Sequence, residues 1–144
     1  LAVASRGGHW IQLLRLRPAF EGAVVTFVTT AREYQSMIPG QRFRVVAESN
    51  RSRKLLLVWT TLQLLWIIFR ERPTTIISTG AAPGFLAIRL GRLLRIRTMW
   101  VDSIANAEEL SLSGRLALKH ADVVLTQWEH LAQPGVVDFQ GSVV

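Results

Sequence analysis

Six residues near the start of the chain, Ser5-Arg6-Gly7-Gly8-His9-Trp10, have the types and spacing to bind an anion and move a proton. Two adjacent glycines let a backbone approach a ligand closely and adopt positive φ. They lead into Ile11-Gln12-Leu13-Leu14-Arg15-Leu16, whose apolar residues recur at helical spacing. A helix start offers unpaired N–H groups and the positive end of a dipole, which suit phosphate or diphosphate. His9 would bring a group that titrates near neutral pH to the same turn. The bland alternative is a plain strand-to-helix connection with a solvent-facing histidine. A third glycine of the dinucleotide fingerprint is missing, so the motif alone does not name the ligand.

These residues need a scaffold, and the rest of the chain supplies one. Short apolar or β-branched runs at Leu1–Ala4, Ala23–Thr29, Phe43–Ala47, Thr75–Ser78, Thr98–Val101 and Val123–Thr126 read as buried parallel strands. Helical patterns separate most of them, at His9–Leu16, Ala31–Ile38, Ser52–Glu71, Gly84–Ile96 and Ser113–Lys119. A further strand is expected near Val143. The alternation predicts an α/β fold, a Rossmann-like doubly wound parallel sheet, with residues 1–144 as one domain.

In such sheets ligands bind beyond the carboxyl ends of the strands. That rule gathers Gly7, Gly8 and His9; the small-residue turn from Thr79 and Gly80 to Gly84; Asp102 and Ser103; and Gln127 and Trp128 on one rim.

Composition narrows the chemistry. With no cysteine among 144 residues, disulfides and thiolate metal sites are excluded. His9, His120 and His130 lack metal-ligand spacing, so no metal is expected. The formal charge of +7 comes almost entirely from arginine, Lys54 and Lys119 being the only lysines. With 49% hydrophobic residues, this favours a surface that meets anions beside apolar material. No nucleic-acid motif is present, and aromatic residues do not interleave with the basic run. A dinucleotide enzyme is disfavoured because the second strand ends in Thr29-Thr30, with no acid for a ribose hydroxyl. No signal peptide is visible.

Two helices stand out. Leu55–Phe69 is fifteen residues without a charge, preceded by Arg51, Arg53 and Lys54 and followed by Arg70, Glu71 and Arg72. At ~1.5 Å per residue it reaches about 22 Å, short of the ~30 Å hydrocarbon core. Trp59 and Trp66, seven apart, fit a helix lying at a bilayer interface. A helix packed on the sheet, its outer side covered by a partner, fits equally well. In the next helix Arg89, Arg92 and Arg95 form a stripe with no acid among them, as expected of a surface for anionic lipid or phosphate; a solvated charged face is the alternative.

With these segments placed, the chain resembles the membrane-side, acceptor-binding subunits of two-component UDP-sugar glycosyltransferases. These are the eukaryotic subunit of lipid-linked oligosaccharide synthesis and its PssD-type bacterial relatives in exopolysaccharide synthesis. More distantly it resembles MurG. The resemblance rests on Gly7-Gly8-His9, on Ile77-Ser78-Thr79-Gly80 with Pro83-Gly84, and on the block WVDSIANAEELSLSGRLALKHADVVLTQWEHL from Trp100 to Leu131. It covers nearly the whole chain. Two residues depart from the pattern: Asp102 stands where Glu is expected, and Asn106 where a basic residue is expected.

The resemblance implies the N-terminal half of a GT-B glycosyltransferase, inactive without a partner subunit that binds the nucleotide sugar. The implied reaction is inverting transfer from a UDP-sugar to a hydroxyl of a polyprenyl-diphosphate-linked saccharide, with no cofactor, at the cytoplasmic face of a membrane. His9 is the first candidate base and Asp102 the second. Gly7, Gly8, Thr79, Gly80, Gly84 and Ser103 would bind the acceptor and its phosphates. Ser111, Ser113, Gln127 and Trp128 would form an acceptor or partner surface. Trp59, Trp66, Arg89, Arg92 and Arg95 would meet the membrane. The chain is also expected to lack an N-terminal hydrophobic anchor, a task Leu55–Phe69 could assume. A non-catalytic membrane scaffold that recruits a soluble transferase, and a stand-alone nucleotide-binding module, remain open.

Overall fold

The structure is a computed structural model that describes residues 1–49 and 52–143; Arg51 lies outside the described residues. Among these described residues seven strands, β1 (Ala2–Ala4), β2 (Thr26–Thr29), β3 (Arg42–Val45), β4 (Thr75–Gly80), β5 (Arg97–Val101), β6 (Val123–Thr126) and β7 (Asp138–Phe139), form one sheet. Its order is β3-β2-β1-β4-β5-β6-β7, and every neighbouring pair is parallel. The order reverses between β1 and β4. This topological switch point is where α/β sheets open a ligand crevice.

Among the described residues four α-helices cover the sheet: α1 (Gly8–Arg15), α2 (Lys54–Glu71), α3 (Ala81–Leu93) and α4 (Leu112–Ala117). On one face Trp10 and Leu13 of α1 pack with Phe27 and Ile38. On the other, Leu64, Ile67 and Ile68 of α2, Ala87 and Ile88 of α3 and Ala117 of α4 pack on Val3, Ile76, Trp100 and Val124. Each helix turns one side to the sheet; α2 is apolar on its outer side as well. α2 carries the chain back from edge strand β3 to β4 and ends at Arg72, in left-handed conformation (φ 47°) just before Pro73.

Three expectations change. The pattern at Ala31–Ile38 is a 3-10 helix, Arg32–Met37, with no fully buried residue. Its hydroxyl Ser36 Oγ donates to the Glu33 carbonyl at 2.9 Å, a local bond that competes with helical pairing, and Pro39-Gly40 stops it. α3 starts at Ala81 rather than Gly84, because Pro83 needs no N–H partner in a first turn. The last strand is Asp138–Phe139, not one near Val143; residue Val143 is held instead by its N–H on Gln127 Oε1 at 2.9 Å.

One buried charge fastens α2 to the β2–β3 edge. The Glu71 side chain is 9% exposed and accepts from Thr26 Oγ1 at 3.0 Å and Arg44 at 2.9 Å, with Arg42 at 3.6 Å. Burial alone would raise its pKa. The hydrogen bonds from Thr26 and Arg44 and the charges of Arg44 and Arg42 outweigh it and hold the carboxyl below the usual glutamate range. A depressed pKa means the stabilisation is present above the unfolded value, ~4.3, and is lost as pH falls through the folded value. Replacing Glu71 with Gln is expected to cost about 1–3 kcal/mol at pH 7. Urea melts of both proteins from pH 7 to pH 3 should show that difference shrinking only below about pH 4.

Candidate functional site

The β1–α1 turn lies at the switch point. Gly7 caps α1 with φ 78°, no side chain caps the helix, and its first turn holds no acid. The loop is braced from the neighbouring β2–β3 connection: Arg6 N donates to Thr30 Oγ1 at 3.2 Å and Gly7 N to the Tyr34 hydroxyl at 3.0 Å. Tyr34 in turn stacks on Trp10 at 5.5 Å. Arg6 lies beside the loop and pairs with Glu33 and Glu48 at 3.4 and 3.7 Å. The N–H groups of Gly8 and His9 have no protein acceptor among the described residues. They point outward from the end of a helix, where an anion is favoured.

His9 is held by β4. Its Nδ1 lies 2.9 Å from the Thr79 carbonyl, and Thr79 Oγ1 donates to the His9 carbonyl at 2.7 Å. A carbonyl oxygen only accepts, so Nδ1 carries the proton in the neutral ring and Nε2 keeps its lone pair. That tautomer can take a proton from a hydroxyl. The ring rests on Gly80: a Cβ there would lie 2.2 Å from Nδ1, and Gly80 has φ 146°. Ala81 follows at φ 63°, an uncommon conformation for a residue with a side chain. Immediately beyond is the start of α3, also uncapped by any side chain and free of acid in its first turn. Two helix N-termini thus flank one histidine.

Gly80→Ala is expected to push the ring off the Thr79 carbonyl and to force strained backbone. The accompanying stability loss should be about 1–3 kcal/mol, read from thermal melts.

Asp102 occupies a different environment from His9. It is 2% exposed. Its carboxylate accepts from Trp100 Nε1 at 3.0 Å, from Ser111 N and Oγ at 2.8 and 2.5 Å, and from Asn106 Nδ2 at 3.3 Å. Its carbonyl accepts from Gln12 Nε2 at 3.1 Å and Gln127 Nε2 at 2.9 Å. Every contact points inward, so the carboxylate has no path to a substrate hydroxyl in this arrangement. It organises the loop from Ser103 to Leu110, which Trp128 also ties down through Nε1 on the Ile104 carbonyl at 2.8 Å.

Several expected site residues therefore move inward. Ser111 caps α4 and binds Asp102 instead of facing a partner. Gln127 is buried as a brace between Asp102 and Val143. Thr79 is fully buried and serves His9. Gly84 is buried inside α3, where a Cβ would meet Ser78 Oγ at 1.9 Å, so it offers nothing to a ligand. Ser103, Ser113 and Trp128 remain half-buried at the surface. The arginine stripe is also corrected. Arg92 pairs at 3.2 Å with Asp122, an acid from the turn before β6, and Arg95 lies beyond the end of α3 at φ 58°. Arg89 is exposed on α3, and Trp59 and Trp66 are exposed on α2.

Gln12 and Tyr34 were not singled out in the sequence. A glutamine on the apolar side of a short helix was the available signal for Gln12. Nothing local marked Tyr34, whose role depends on a strand crossing. Among the described residues no group of three His, Asp or Glu side chains could hold a metal ion.

A family profile described as "Oligosaccharide biosynthesis protein Alg14 like" matches residues 6–140. The chain belongs to the Alg14-like family. It is 29% identical over 136 residues to the UDP-N-acetylglucosamine transferase subunit ALG14 of Eremothecium gossypii, covering 90% of this chain and 51% of that protein. The Candida albicans protein of the same name is 32% identical over 117 residues, 74% of this chain and 52% of the other. This Alg14-like chain thus spans about half the length of those relatives. Among solved structures, MurG of Acinetobacter baumannii superposes with a TM-score of 0.75 at 13% identity, covering 98% of this chain and 46% of MurG. A UDP-N-acetylglucosamine 2-epimerase of Rickettsia bellii gives 0.73 at 14%, covering 98% and 44%. At such identities the likeness establishes the fold: the Alg14-like domain has the Rossmann-like architecture of one half of a GT-B chain.

Proposed function

We propose that this chain is the acceptor-side subunit of a split, inverting glycosyltransferase. The reaction moves a sugar from a UDP-sugar to a hydroxyl of a polyprenyl-diphosphate-linked saccharide, in lipid-linked oligosaccharide or exopolysaccharide synthesis. The reading rests on one observation above the others: His9, locked by Thr79 with Nε2 free, beside two uncapped helix N-termini.

In this mechanism the Gly8 and His9 N–H groups bind the acceptor diphosphate, with Arg6 adding charge. His9 Nε2 accepts the proton of the acceptor hydroxyl as its oxygen attacks the anomeric carbon, and the uridine diphosphate departs from the opposite face. Asp102 acts through the loop it holds and stays out of the proton transfer. The donor is bound mainly by a partner subunit forming the other half of the cleft, so the chain alone is inactive. No resident cofactor is required. Support for a partner and for the sugar class comes from relatives that are named subunits of a UDP-N-acetylglucosamine transferase.

The test is co-expression with a candidate nucleotide-sugar-binding half, size exclusion in mild detergent, and transfer to a polyprenyl-diphosphate saccharide. Co-elution with transfer that needs both chains supports the reading. Elution of the chain alone across detergents and salt removes it and favours a stand-alone module. A complex whose activity ignores His9 would instead make this subunit a scaffold.

A further inference from the structure

Tyr34 is the only tyrosine of the chain, and it stands outside the proton transfer assigned to His9. β2 ends at Thr29, and the 3-10 helix Arg32–Met37 turns the chain back beside the β1–α1 turn. Residues 30–34 then meet residues 6 and 7 at three points. Thr30 Oγ1 accepts from the Arg6 amide at 3.2 Å, Glu33 accepts from the Arg6 guanidinium at 3.4 Å, and the Tyr34 hydroxyl accepts from the Gly7 amide at 3.0 Å. Packing sets the ring. It lies within 12° of parallel to Trp10, centres 5.5 Å apart, and Trp10 is fully buried with Phe27 and Phe43 edge-on to it at 6.1 Å. A tyrosine turns about only two side-chain torsions, so a fixed ring fixes the direction of its oxygen.

The hydrogen bonding at that oxygen is incomplete. A phenol has one proton to donate as well as lone pairs that accept. An amide N–H only donates, so toward Gly7 the oxygen is the acceptor. Its own proton points elsewhere, and among the described residues nothing accepts it. The Gly8 and His9 N–H groups, next along the chain, are in the same condition. Donors from two segments 27 residues apart therefore converge on one turn without a protein acceptor among the described residues. Thr30 meets the Arg6 amide, two residues before the first free N–H, so Tyr34 is the hydroxyl nearer along the chain to the helix start.

We infer that the Tyr34 hydroxyl binds the ligand of this turn, donating its proton to a phosphate oxygen of the acceptor diphosphate held by Gly8 and His9. The inference rests on the acceptor-side reading of the turn. One oxygen then does two things. Its lone pair holds the Gly7 amide, in a residue at φ 78°, and its proton goes to the anion. The two reinforce each other, because a hydroxyl that accepts a hydrogen bond is polarised into a stronger donor. Donation to an anion is also stronger than donation to a neutral group.

The opposing possibility is a hydroxyl that only braces Gly7, and the sole tyrosine makes the two separable. Growth on meta-fluorotyrosine labels this position and no other. Fluorine beside the hydroxyl makes it a stronger donor and a weaker acceptor, so a ligand contact and a brace predict opposite changes. The probe is inorganic pyrophosphate, added without divalent metal to the purified full chain. The fluorine resonance should shift saturably with pyrophosphate and stay in place with sodium chloride at equal ionic strength. By calorimetry the fluorinated chain should bind pyrophosphate more tightly than the unlabelled chain, and Tyr34→Phe should bind it about tenfold more weakly. Phenylalanine keeps the ring on Trp10 and Gly7 is exposed to water, so the variant's far-UV spectrum should match wild type. In the assembled transferase Tyr34→Phe should raise KM for the lipid-linked acceptor by about tenfold and leave kcat nearly unchanged, as expected for a contact to the non-reacting diphosphate. A lost brace on the loop that carries His9 would lower kcat instead.

Equal pyrophosphate affinity in wild type and Tyr34→Phe would overturn the inference and leave the Gly8–His9 turn as a phosphate site. Weaker binding by the fluorinated chain would also overturn it and reduce the hydroxyl to a brace. Absence of pyrophosphate binding by wild type would remove the inference and the phosphate reading of the turn together. Pyrophosphate binding that depends on Tyr34, in a chain that forms no active transferase, would keep the Tyr34 contact while the transferase reading falls, so the two fail separately.

Discussion

Replacing His9 with Ala in the assembled enzyme is expected to lower kcat by about 10²–10⁴-fold, the span associated with removing a general base. KM for the acceptor should move little, because the proposed mechanism draws its phosphate contacts from backbone N–H groups that alanine retains. The fold should also persist, since the ring is only half-buried and rests on Gly80 from outside the core. A glutamine at this position should do no better than alanine, because its amide nitrogen has no basic lone pair to take the proton. The informative measurement is the pH profile of kcat/KM. A general base gives that profile an acid limb, and the variant should lack it. Near-normal turnover with the limb intact would remove His9 as the base and leave the scaffold role.

The second large effect is expected at Asp102, on stability. Changing it to Ala deletes the acceptor for Trp100 Nε1 and for both donors of Ser111. Each buried donor left unpaired costs about 1–3 kcal/mol, so a loss of about 3–5 kcal/mol is expected. Calorimetry or a urea melt should register it in the isolated chain, before any partner is added. Asn is the sharper variant. It preserves size but places an amide NH2 among groups that also donate, so it too should destabilise. A Asp102→Asn protein as stable as wild type yet inactive with partner would contradict the organising role and return Asp102 to the chemistry. The comparison with His9 is the useful part. One residue should affect turnover with little effect on stability, and the other stability first.

The two expectations differ because sequence spacing treats these residues alike. Both follow a short apolar strand, and both reach the same rim. Burial separates them: α4 folds back over β5 so that Ser111 and Gly114 close on the carboxylate, whereas Gly7 and Gly8 are exposed and His9 is half-buried.

Much of the architecture was legible in the chain. Six of the seven strands were placed within a few residues, since buried parallel strands concentrate apolar and β-branched residues between turn signals. α2 was marked by its uncharged run, and the Gly7-Gly8 turn by the need for positive φ at Gly7. The 3-10 helix at Arg32–Met37 was read as α because periodicity over six residues cannot separate the two. Strand β7 was missed because two residues carry no period at all.

What the sequence determined by itself was the alternation of strands and helices, the glycine turn with its histidine, and the excess of arginine around an uncharged helix. These are local properties, set by side-chain period and by backbone freedom at single residues. Tertiary structure alone decided the tautomer of His9, through a carbonyl 70 residues away, and the inward turn of Asp102. It also decided the pairing of Arg92 with Asp122, 30 residues on, and the outward placing of Trp59 and Trp66 on α2. The reason is physical: spacing fixes which residues share a face of their own element, but only packing against the sheet decides which face is covered and what each polar atom meets.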